Sequence, residues 1–306
     1  MYNTYISFPH INPIIFSVFS ISIRWYGFMY FLGFIFAVWR GNVQAKYYNL
    51  TKIEVDNLLY SCFFGLFIGG RIGYVMFYNP MFFSQNVLCI LKVWEGGMSF
   101  HGGLLGILVV LLYFSKKLNK KFLDLSDFVA PLVPFGLGLG RLGNFINGEL
   151  WGRIAPNCPF SILFPSSKLL DLELSKDNIQ FQHLINKFGV LPRHPSQIYE
   201  CILEGVLLFF ILNFFTKKNF SSGFVSGLFL ILYGIFRIFS EFFRQPDPQI
   251  GFYLNIFSMG QILSVPMIVF GFFIWLNIFY HKVILNLDMY GKLYQFVKKN
   301  IKRWKC

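Results

Sequence analysis

Seven stretches of mostly apolar residues constrain this chain more than any other feature of its sequence. Each is about 20 residues long, enough for a helix to cross the hydrocarbon core of a bilayer. Only 13% of the residues are charged, whereas soluble domains carry about 25%. We therefore expect an all-α integral membrane protein with seven transmembrane helices, at roughly residues 19–39, 57–78, 98–115, 124–143, 196–216, 223–243 and 259–280.

The longest segment between two of these windows predicts a further folded part. Residues 144–195 contain five prolines and scattered charge, a composition that favours a small folded cap over a flexible linker. The sequence therefore predicts a single membrane domain, residues 1–306, with an extracytoplasmic cap at residues 144–195 between the fourth and fifth helices.

The distribution of lysine and arginine predicts the orientation of the chain. The loops and tail on one side of the seven windows carry sixteen basic residues, and the loops on the other side carry seven. Because basic residues concentrate on the cytoplasmic side, we expect the N-terminus outside and the C-terminus in the cytoplasm. The net charge of +13 is spread over these loops, so nucleic-acid binding is not expected.

The five cysteines give little sign of a metal or redox site. The sequence contains no Cys-x-x-Cys motif and no Cys/His cluster, so we expect no bound metal. Cys89 and Cys158 both fall on the predicted outer side, where disulfides form. Their spacing leaves open whether they pair.

Four arginines lie within or at the ends of predicted helices: Arg24, Arg71, Arg141 and Arg237. Ionisable side chains at membrane depth are rare and usually functional. The predicted topology places all four in the outer half of the bilayer. A single arginine such as Arg24 can extend its charge to the interface, but Arg141 and Arg237 have polar companions at helical spacing.

The sixth window carries a stripe of polar residues. Tyr233, Arg237, Glu241 and Arg244 follow one another at spacings of four, four and three residues, so they share one face of a helix. A purely structural ion pair between Arg237 and Glu241 is one interpretation of this stripe, and a binding site is the other.

The fourth window ends in glycines and polar residues. The glycines between Gly136 and Gly143 predict the close approach of a neighbouring helix. Arg141 and Asn144 share a face with that approach. The polar residues that continue beyond the window are Asn147 and Glu149.

His101 lies between two glycine pairs near the start of the third window. A lone histidine on an apolar helix is usually a hydrogen-bonded core residue. Its pKa near neutrality also suits a base, and this stretch alone does not decide between the two. In the fifth window, Glu200 and Glu204 lie one helical turn apart.

Several arginines at one depth, on helices opened by glycines, predict a pocket for an anion. The phosphate of a phospholipid is the anion most available at that depth, and the planar guanidinium group donates two hydrogen bonds to phosphate oxygens. A protein with such a pocket transports the lipid, responds to it or reacts with it. The candidates for binding lipid hydroxyl groups are Tyr26, Asn144, Asn147 and Gln197.

Four motifs carry a resemblance to a known family. They are HGGL at 101–104, GRLGNFINGELWGR at 140–153, RHPSQIYE at 193–200 and GIFRIFSEFFRQPD at 234–247. Together and in this order they resemble the bacterial prolipoprotein diacylglyceryl transferases. The resemblance extends from residue 5 to 270, and it is weak across residues 167–188 and after residue 281.

The resemblance implies a transferase of the bacterial inner membrane. This family transfers the diacylglyceryl group of phosphatidylglycerol to the lipobox cysteine thiol of a prolipoprotein signal peptide and releases glycerol phosphate, in the first step of lipoprotein maturation. The substrate supplies the nucleophile, which explains why no Ser-His-Asp pattern is needed. No cofactor is implied, and we expect a monomer with its active site in the outer half of the bilayer.

The resemblance also assigns roles to individual residues. Arg141 and Arg237 are expected to stabilise charge on the departing phosphate. His101 is expected to be the base, unless a nearby arginine lowers the thiol pKa and His101 only positions a substrate. The positions expected to bind substrate or brace the site are Tyr26, Asn144, Asn147, Glu149, Gly152, Tyr233 and Glu241; the two glutamates should orient arginines, because a paired carboxylate is a poor base.

Two other functions are compatible with a lipid pocket. A phospholipid transporter or scramblase needs a polar path through the inner half of the bilayer, whereas the polar clusters of this sequence fall mainly in the predicted outer half. A non-catalytic scaffold regulated by lipid does not need His101 and two arginines at one depth.

Overall fold

Helices dominate the structure, a computed structural model that describes residues 5–9, 11–18, 21–78, 97–218, 220–246, 253 and 256–280. The helices of the described residues are, in chain order, α1 (Trp25–Gln44), α2 (Lys52–Tyr78), α3 (Phe100–Lys117), α4 (Phe122–Ile146), α5 (Lys168–Ser175), α6 (Ile179–Phe188), α7 (Ser196–Thr216), α8 (Phe224–Glu241) and α9 (Met259–Tyr280).

Each of the seven apolar windows overlaps one of these helices. Five helices are long and apolar enough to cross a membrane, namely α2, α4, α7, α8 and α9. The helices α1 and α3 occupy the first and third windows. The mostly helical architecture of a multi-pass membrane protein is therefore confirmed.

The N-terminal part of the first window forms a strand and not a helix, which corrects the all-α prediction. The sequence predicts a helix from about residue 19, but an antiparallel hairpin of β2 (Ile14–Val18) and β3 (Ile21–Arg24) precedes α1. The strand β3 has the sequence ISIR, in which β-branched and polar residues alternate, a pattern typical of a strand. Arg24 is therefore the N-cap residue of α1 and does not lie inside a longer helix.

Short strands also occur in the segment predicted as a cap. The strand β1 (Ile6–Ser7) pairs in parallel with β4 (Ile162–Leu163), and β4 pairs antiparallel with β5 (Pro192–Arg193). The helices α5 and α6 lie between β4 and β5 in the chain. The N-terminal residues thus share a sheet with the 144–195 segment, a long-range pairing that hydrophobic periodicity does not predict.

A buried ion pair fixes the 144–195 segment internally. Arg193 Nε donates to Asp171 Oδ1 at 3.0 Å, and both side chains are fully buried. The Asp171 carboxylate also accepts hydrogen bonds from Leu191 N at 2.9 Å and Ser167 Oγ at 2.6 Å. Burial lowers the pKa of Arg193, and the charge of Asp171 opposes that shift. The pair therefore keeps a guanidinium ion where an unpaired one would be unfavourable.

Two prolines interrupt α4. Its α-helical parts, Phe122–Val129 and Val133–Ile146, are joined by a 3₁₀ turn at Ala130–Leu132. Pro131 and Pro134 have no N–H group, so regular helical hydrogen bonding cannot continue there. The break separates a first half packed with α2 and α3 from a second half that carries the glycines and polar residues of the candidate site.

Apolar side chains pack in two clusters. One joins α2, α3 and α4 through Leu58, Leu111 and Phe128. The other joins α7 and α8 through residues that include Leu208 and Leu228. Only 11% of an 18-residue apolar stretch of α9 is buried within the protein, as expected for a helix whose apolar surface contacts lipid.

Glycines allow α2 and α3 to pack closely. Gly65 and Gly69 on α2 are spaced by four residues and approach Gly102 and Gly106 on α3. A Cβ atom at Gly106 would lie 2.7 Å from the carbonyl carbon of Gly65. Because the obstacle is backbone, side-chain rotation cannot relieve it, and this contact requires glycine.

We expect Gly106→Ala to destabilise the protein, because the added methyl group forces α2 and α3 apart. The expected loss is about 2 kcal/mol in the free energy of unfolding, measured as a lower Tm of the detergent-solubilised protein. Gly136→Ala is the matched control, since a Cβ atom there has no heavy atom within 4 Å. Equal melting temperatures for the two variants would contradict this packing.

Candidate functional site

Three arginines and three glutamates meet where α4, α7 and α8 converge. Arg141 of α4 and Arg237 of α8 share the carboxylate of Glu200 on α7. Arg141 Nε lies 2.9 Å from Oε2, and Arg237 Nη1 lies 2.8 Å from Oε1. One carboxylate therefore joins all three helices. We call the whole group the ion cluster; its other members are Glu204, Glu241 and Arg244.

Glu204 lies one turn after Glu200 and reinforces the same contacts. Its carboxylate accepts from Arg141 Nη2 at 3.2 Å and from Ser240 Oγ at 3.3 Å. Arg237 Nη1 lies 3.6 Å from it. Both arginines are therefore held by two carboxylates of α7.

Glu241 and Arg244 complete the ion cluster at the end of α8. Glu241 Oε1 lies 2.6 Å from Arg237 Nη2, so these two residues of the polar stripe form an ion pair. Arg244 Nη1 lies 3.7 Å from Glu200 Oε1 and 3.7 Å from Glu241 Oε1. The ion cluster thus contains equal numbers of arginines and glutamates.

The two signs of charge differ in exposure. The side chains of the three glutamates are 0–4% exposed, and those of the three arginines are 10–17% exposed. The carboxylates therefore lie behind the guanidinium groups. The accessible surface of the ion cluster presents N–H donors and positive charge, which suits a phosphate group.

The local structure of α7 places both glutamates. Glu200 directly precedes a π-helical segment, Cys201–Leu207, and Glu204 lies within it; this rare geometry is frequent at functional sites. A Cβ atom on Gly205 would lie 2.6 Å from the Cα atom of Gly138 on α4. Only a glycine contact brings α7 this close to α4, and the short ion pairs depend on that approach.

A second polar group lies at the end of α4. Glu149 Oε1 accepts hydrogen bonds from Asn144 Nδ2 at 2.9 Å and from Asn147 Nδ2 at 3.2 Å. The chain turns back at Gly148, whose φ of +65° is a left-handed conformation that glycine adopts readily. The structure therefore holds Glu149 with two amides, whereas the sequence predicts that it orients an arginine.

Tyr26 lies beside both polar groups. In the first turn of α1 it packs against Gly143, where an added Cβ atom would lie 3.0 Å from its ring. Its hydroxyl group lies 3.0 Å from that of Tyr30. Glu149 and Arg141 are its electrostatic neighbours. The structure thus brings Tyr26 together with the residues predicted from the fourth window.

Tyr233 is buried on α8, one turn before Arg237. Glu204 and Arg237 are among its electrostatic neighbours, and its ring stacks on that of Phe229 with centroids 5.7 Å apart. Tyr233 therefore lies buried between the packed helices, next to the ion cluster.

Gly152 lies next to this site and makes close backbone contacts. Its N–H donates to His194 O at 2.9 Å, and its carbonyl accepts from Arg193 Nη1 at 3.0 Å. A Cβ atom would lie 2.5 Å from His194 O and 2.6 Å from Phe243 O. Gly152 therefore joins the 144–195 segment to the chain after α8 by backbone contact.

Arg153 and His194 continue this connection. Arg153 Nε donates to Arg244 O at 3.0 Å, and Arg153 Nη2 donates to Glu241 O at 3.2 Å. Arginine at a helix C-terminus interacts favourably with its last carbonyl groups. His194 Nδ1 lies 3.2 Å from the hydroxyl group of Tyr199, and burial lowers the pKa of His194, which favours the neutral ring.

His101 belongs to a different helix pair. It is exposed in the first turn of α3, and α3 packs chiefly against α2. The ion cluster is carried by α4, α7 and α8. The role of His101 therefore stays a prediction.

The sequence predicts Arg141, Arg237 and Glu241 as site residues, but it does not identify the centre of the ion cluster. Glu200 and Glu204 stand out only as two acids one turn apart in the fifth window. The signal was present, because two carboxylates one turn apart in an apolar helix require cationic partners. Spacing along one helix does not reveal which helix provides them.

Neither a metal-ligand group nor a disulfide occurs among the described residues of this site. The described ranges contain no group of three or more His, Cys, Asp or Glu side chains placed to hold a metal ion. Cys158 has no disulfide partner among the described residues; Cys89, whose pairing with it the sequence leaves open, lies outside them.

Five apolar helices of membrane-spanning length and an ion cluster with an exposed cationic face define a multi-pass membrane protein with a candidate phosphate site. Comparison with known proteins is more specific. The family described as prolipoprotein diacylglyceryl transferase matches residues 13–277, and the chain belongs to this family. The family and the transferase class predicted from the motifs are thereby confirmed.

Similar proteins carry one name, phosphatidylglycerol–prolipoprotein diacylglyceryl transferase. The chain is 70% identical over 275 residues to that of Buchnera aphidicola subsp. Baizongia pistaciae, with 90% of this chain and 98% of the relative covered. It is 58% identical over 275 residues to that of Buchnera aphidicola subsp. Schizaphis graminum, with 90% and 99% covered. It is 57% identical over 275 residues to that of Erwinia tasmaniensis, with 89% and 93% covered.

We expect Glu200→Gln to destabilise the protein, because Arg141 and Arg237 keep their charges and lose the carboxylate they share. The expected loss is about 3 kcal/mol in the free energy of unfolding, measured as a lower Tm in detergent. Glu173→Gln removes an exposed carboxylate on α5 and is the control. The counter-ion role of Glu200 is refuted if both variants melt at the same temperature.

Proposed function

We propose that this chain transfers the diacylglyceryl group of phosphatidylglycerol to the lipobox cysteine of prolipoprotein signal peptides, the first step of lipoprotein maturation. The observation that carries the proposal is the cationic face of Arg141 and Arg237, which are held on the buried carboxylate of Glu200. The names of the similar proteins state the same donor and acceptor classes.

The reaction forms one bond and breaks another. The thiolate sulfur attacks the glycerol carbon that carries the phosphate ester, and a carbon–sulfur bond forms. The carbon–oxygen bond breaks, and its electron pair leaves with the phosphate oxygen. The products are a thioether and glycerol phosphate, and the thiol proton passes to a base. The protein needs no nucleophile of its own in this scheme.

Arg141 and Arg237 stabilise the departing phosphate in this proposal. Their guanidinium groups are fixed by carboxylates before substrate arrives. Donors that are already oriented stabilise developing charge without reorganisation, which makes them effective. Asn147 Oδ1 is buried and has no hydrogen-bond partner in the described structure, and this oxygen would accept a hydrogen bond from a lipid hydroxyl group.

His101 is the proposed base for the substrate thiol. It is exposed on the first turn of α3, so a substrate can approach it. The competing proposal assigns the thiolate to a nearby arginine, which would lower the thiol pKa directly. In that case His101 positions a substrate.

The remaining parts of the proposal concern topology. The chain would cross the inner membrane seven times, with α1 and α3 as the first and third spans. The N-terminus would lie outside and the C-terminus in the cytoplasm, since basic residues concentrate on that side. The 144–195 segment would cap the active site in the outer half of the bilayer and exclude water, within a single domain that acts as a monomer.

We expect Arg237→Gln to lower kcat/KM about 100-fold, because one preoriented donor to the leaving phosphate is lost. The assay uses purified protein in phosphatidylglycerol-containing membranes with a lipobox peptide. It measures glycerol phosphate release together with the mass of the peptide, and a Cys→Ser peptide controls for attack by other nucleophiles.

Lys187→Gln removes an exposed charge on α6 and serves as the matched control for Arg237→Gln. Full activity of Arg237→Gln would remove this arginine from the mechanism. Lipid binding by the wild-type protein without any glycerol phosphate release would refute the transferase and favour a transporter or scaffold.

The pH dependence of His101→Gln separates the two roles of this residue. A base is needed while the thiol is protonated, and the need falls as the pH rises toward the thiol pKa of about 8.5. We therefore expect the activity loss to shrink with rising pH if His101 is the base. His183→Gln, which changes an exposed histidine on α6, is the control. A loss of equal size at every pH indicates positioning.

A further inference from the structure

Arg40 is a buried arginine far from the ion cluster. It lies four residues before the end of α1 and is only 9% exposed. Its hydrogen-bond partner, Asn213, follows Glu200 by thirteen residues on α7, which corresponds to about 20 Å along a helix axis. Arg40 therefore belongs to the opposite end of the helix bundle.

Within the described part of the chain, no carboxylate balances the charge of Arg40. Arg40 Nε donates to the neutral oxygen Asn213 Oδ1 at 2.9 Å, and the ion pairs among the described residues do not include Arg40. Asp56 of α2 accepts from Asn42, and Asp127 of α4 accepts from the backbone at the start of α8. Buried charges are normally paired, and the described residues provide no carboxylate for Arg40, so a bound anion would balance its charge.

Asn213 fixes the guanidinium group in an orientation suited to such an anion. Its own Nδ2 donates to Phe209 O at 2.8 Å and to Pro131 O at 3.5 Å, which holds Oδ1 toward Arg40. Because Arg40 donates its Nε–H to Asn213, the N–H groups of its two terminal nitrogens can donate to a ligand. Their planar N–H groups match the spacing of two phosphate oxygens.

The surroundings of Arg40 favour a lipid phosphate over a free one. Trp39 and Val43 of α1 are 60% and 48% exposed, and Phe210 of α7 is 65% exposed. One turn before the Arg40–Asn213 pair, the rings of Phe36 and Phe209 pack with centroids 5.4 Å apart. Acyl chains pack favourably against such exposed apolar side chains. This surface therefore favours an anion that carries acyl chains, such as a phospholipid phosphate.

We propose that Arg40 and Asn213 bind the phosphate of a phospholipid that is separate from the lipid at the ion cluster. With the N-terminus outside, this second lipid lies in the cytoplasmic leaflet. Its phosphate supplies the counter-charge of Arg40, and its acyl chains cover the apolar surface between α1 and α7.

Native mass spectrometry of the detergent-solubilised full chain tests this proposal. Phosphatidylglycerol is titrated into the wild type, Arg40→Gln and Lys46→Gln, a control that removes an exposed charge just after α1. We expect the wild type and Lys46→Gln to retain one phospholipid more than Arg40→Gln, with binding of that lipid weakened about tenfold or more in the variant.

A second variant keeps the test valid if Arg40→Gln lowers Tm. Asn213→Asp places a carboxylate beside Arg40 within the chain, so this folded variant should also lose the extra lipid. Transferase activity is measured in parallel, and its retention separates this site from the reaction. Unchanged lipid retention in both variants overturns the proposal. Displacement of the lipid by millimolar inorganic phosphate also overturns it, since the site would then take free phosphate.

Discussion

The carboxylate of Glu200, shared by Arg141 and Arg237, is the interaction on which the candidate site depends. Taking an ion out of water costs several kcal/mol even in real proteins, so α4, α7 and α8 are constrained to meet in an arrangement that pairs every charge. Pairing of this kind contributes little net stability. Its main effect is to fix which way the guanidinium groups face, and a fixed cationic face is what a phosphate-releasing reaction needs.

Close backbone contacts make this charge pairing geometrically feasible. Gly138 and Gly205 let α4 and α7 approach until Glu200 reaches Arg141. Gly152 plays the same part for the 144–195 segment, because its backbone lies directly against the carbonyl groups of His194 and Phe243. The segment is therefore coupled to the helix that carries Arg237. The motif GRLGNFINGELWGR thus contains residues selected for their polar groups, such as Arg141, and a residue selected for its small size, Gly152.

The helix positions were predictable because bilayer thickness imposes the length of an apolar window, and five of the seven windows contain a helix of membrane-spanning length. The β2–β3 hairpin was missed because Ile21 and Ile23 raise the average hydropathy of a window without forming a helix. Membrane depth, polar companions and family motifs all identified Arg141 and Arg237, whereas the role of Glu200 depends on pairing between helices. Spacing along one helix carries no information about such a partner, and the amide contacts of Glu149 were hidden for the same reason.

The equal numbers of arginines and glutamates in the ion cluster also bear on how a lipid reaches it. The fields of neighbouring opposite charges largely cancel beyond their separation, so a formally neutral cluster provides little electrostatic steering. Under the proposed function, an anionic lipid is therefore not drawn from a distance and arrives by lateral diffusion within its leaflet. Encounter then depends on the mole fraction of that lipid in the membrane and only weakly on ionic strength.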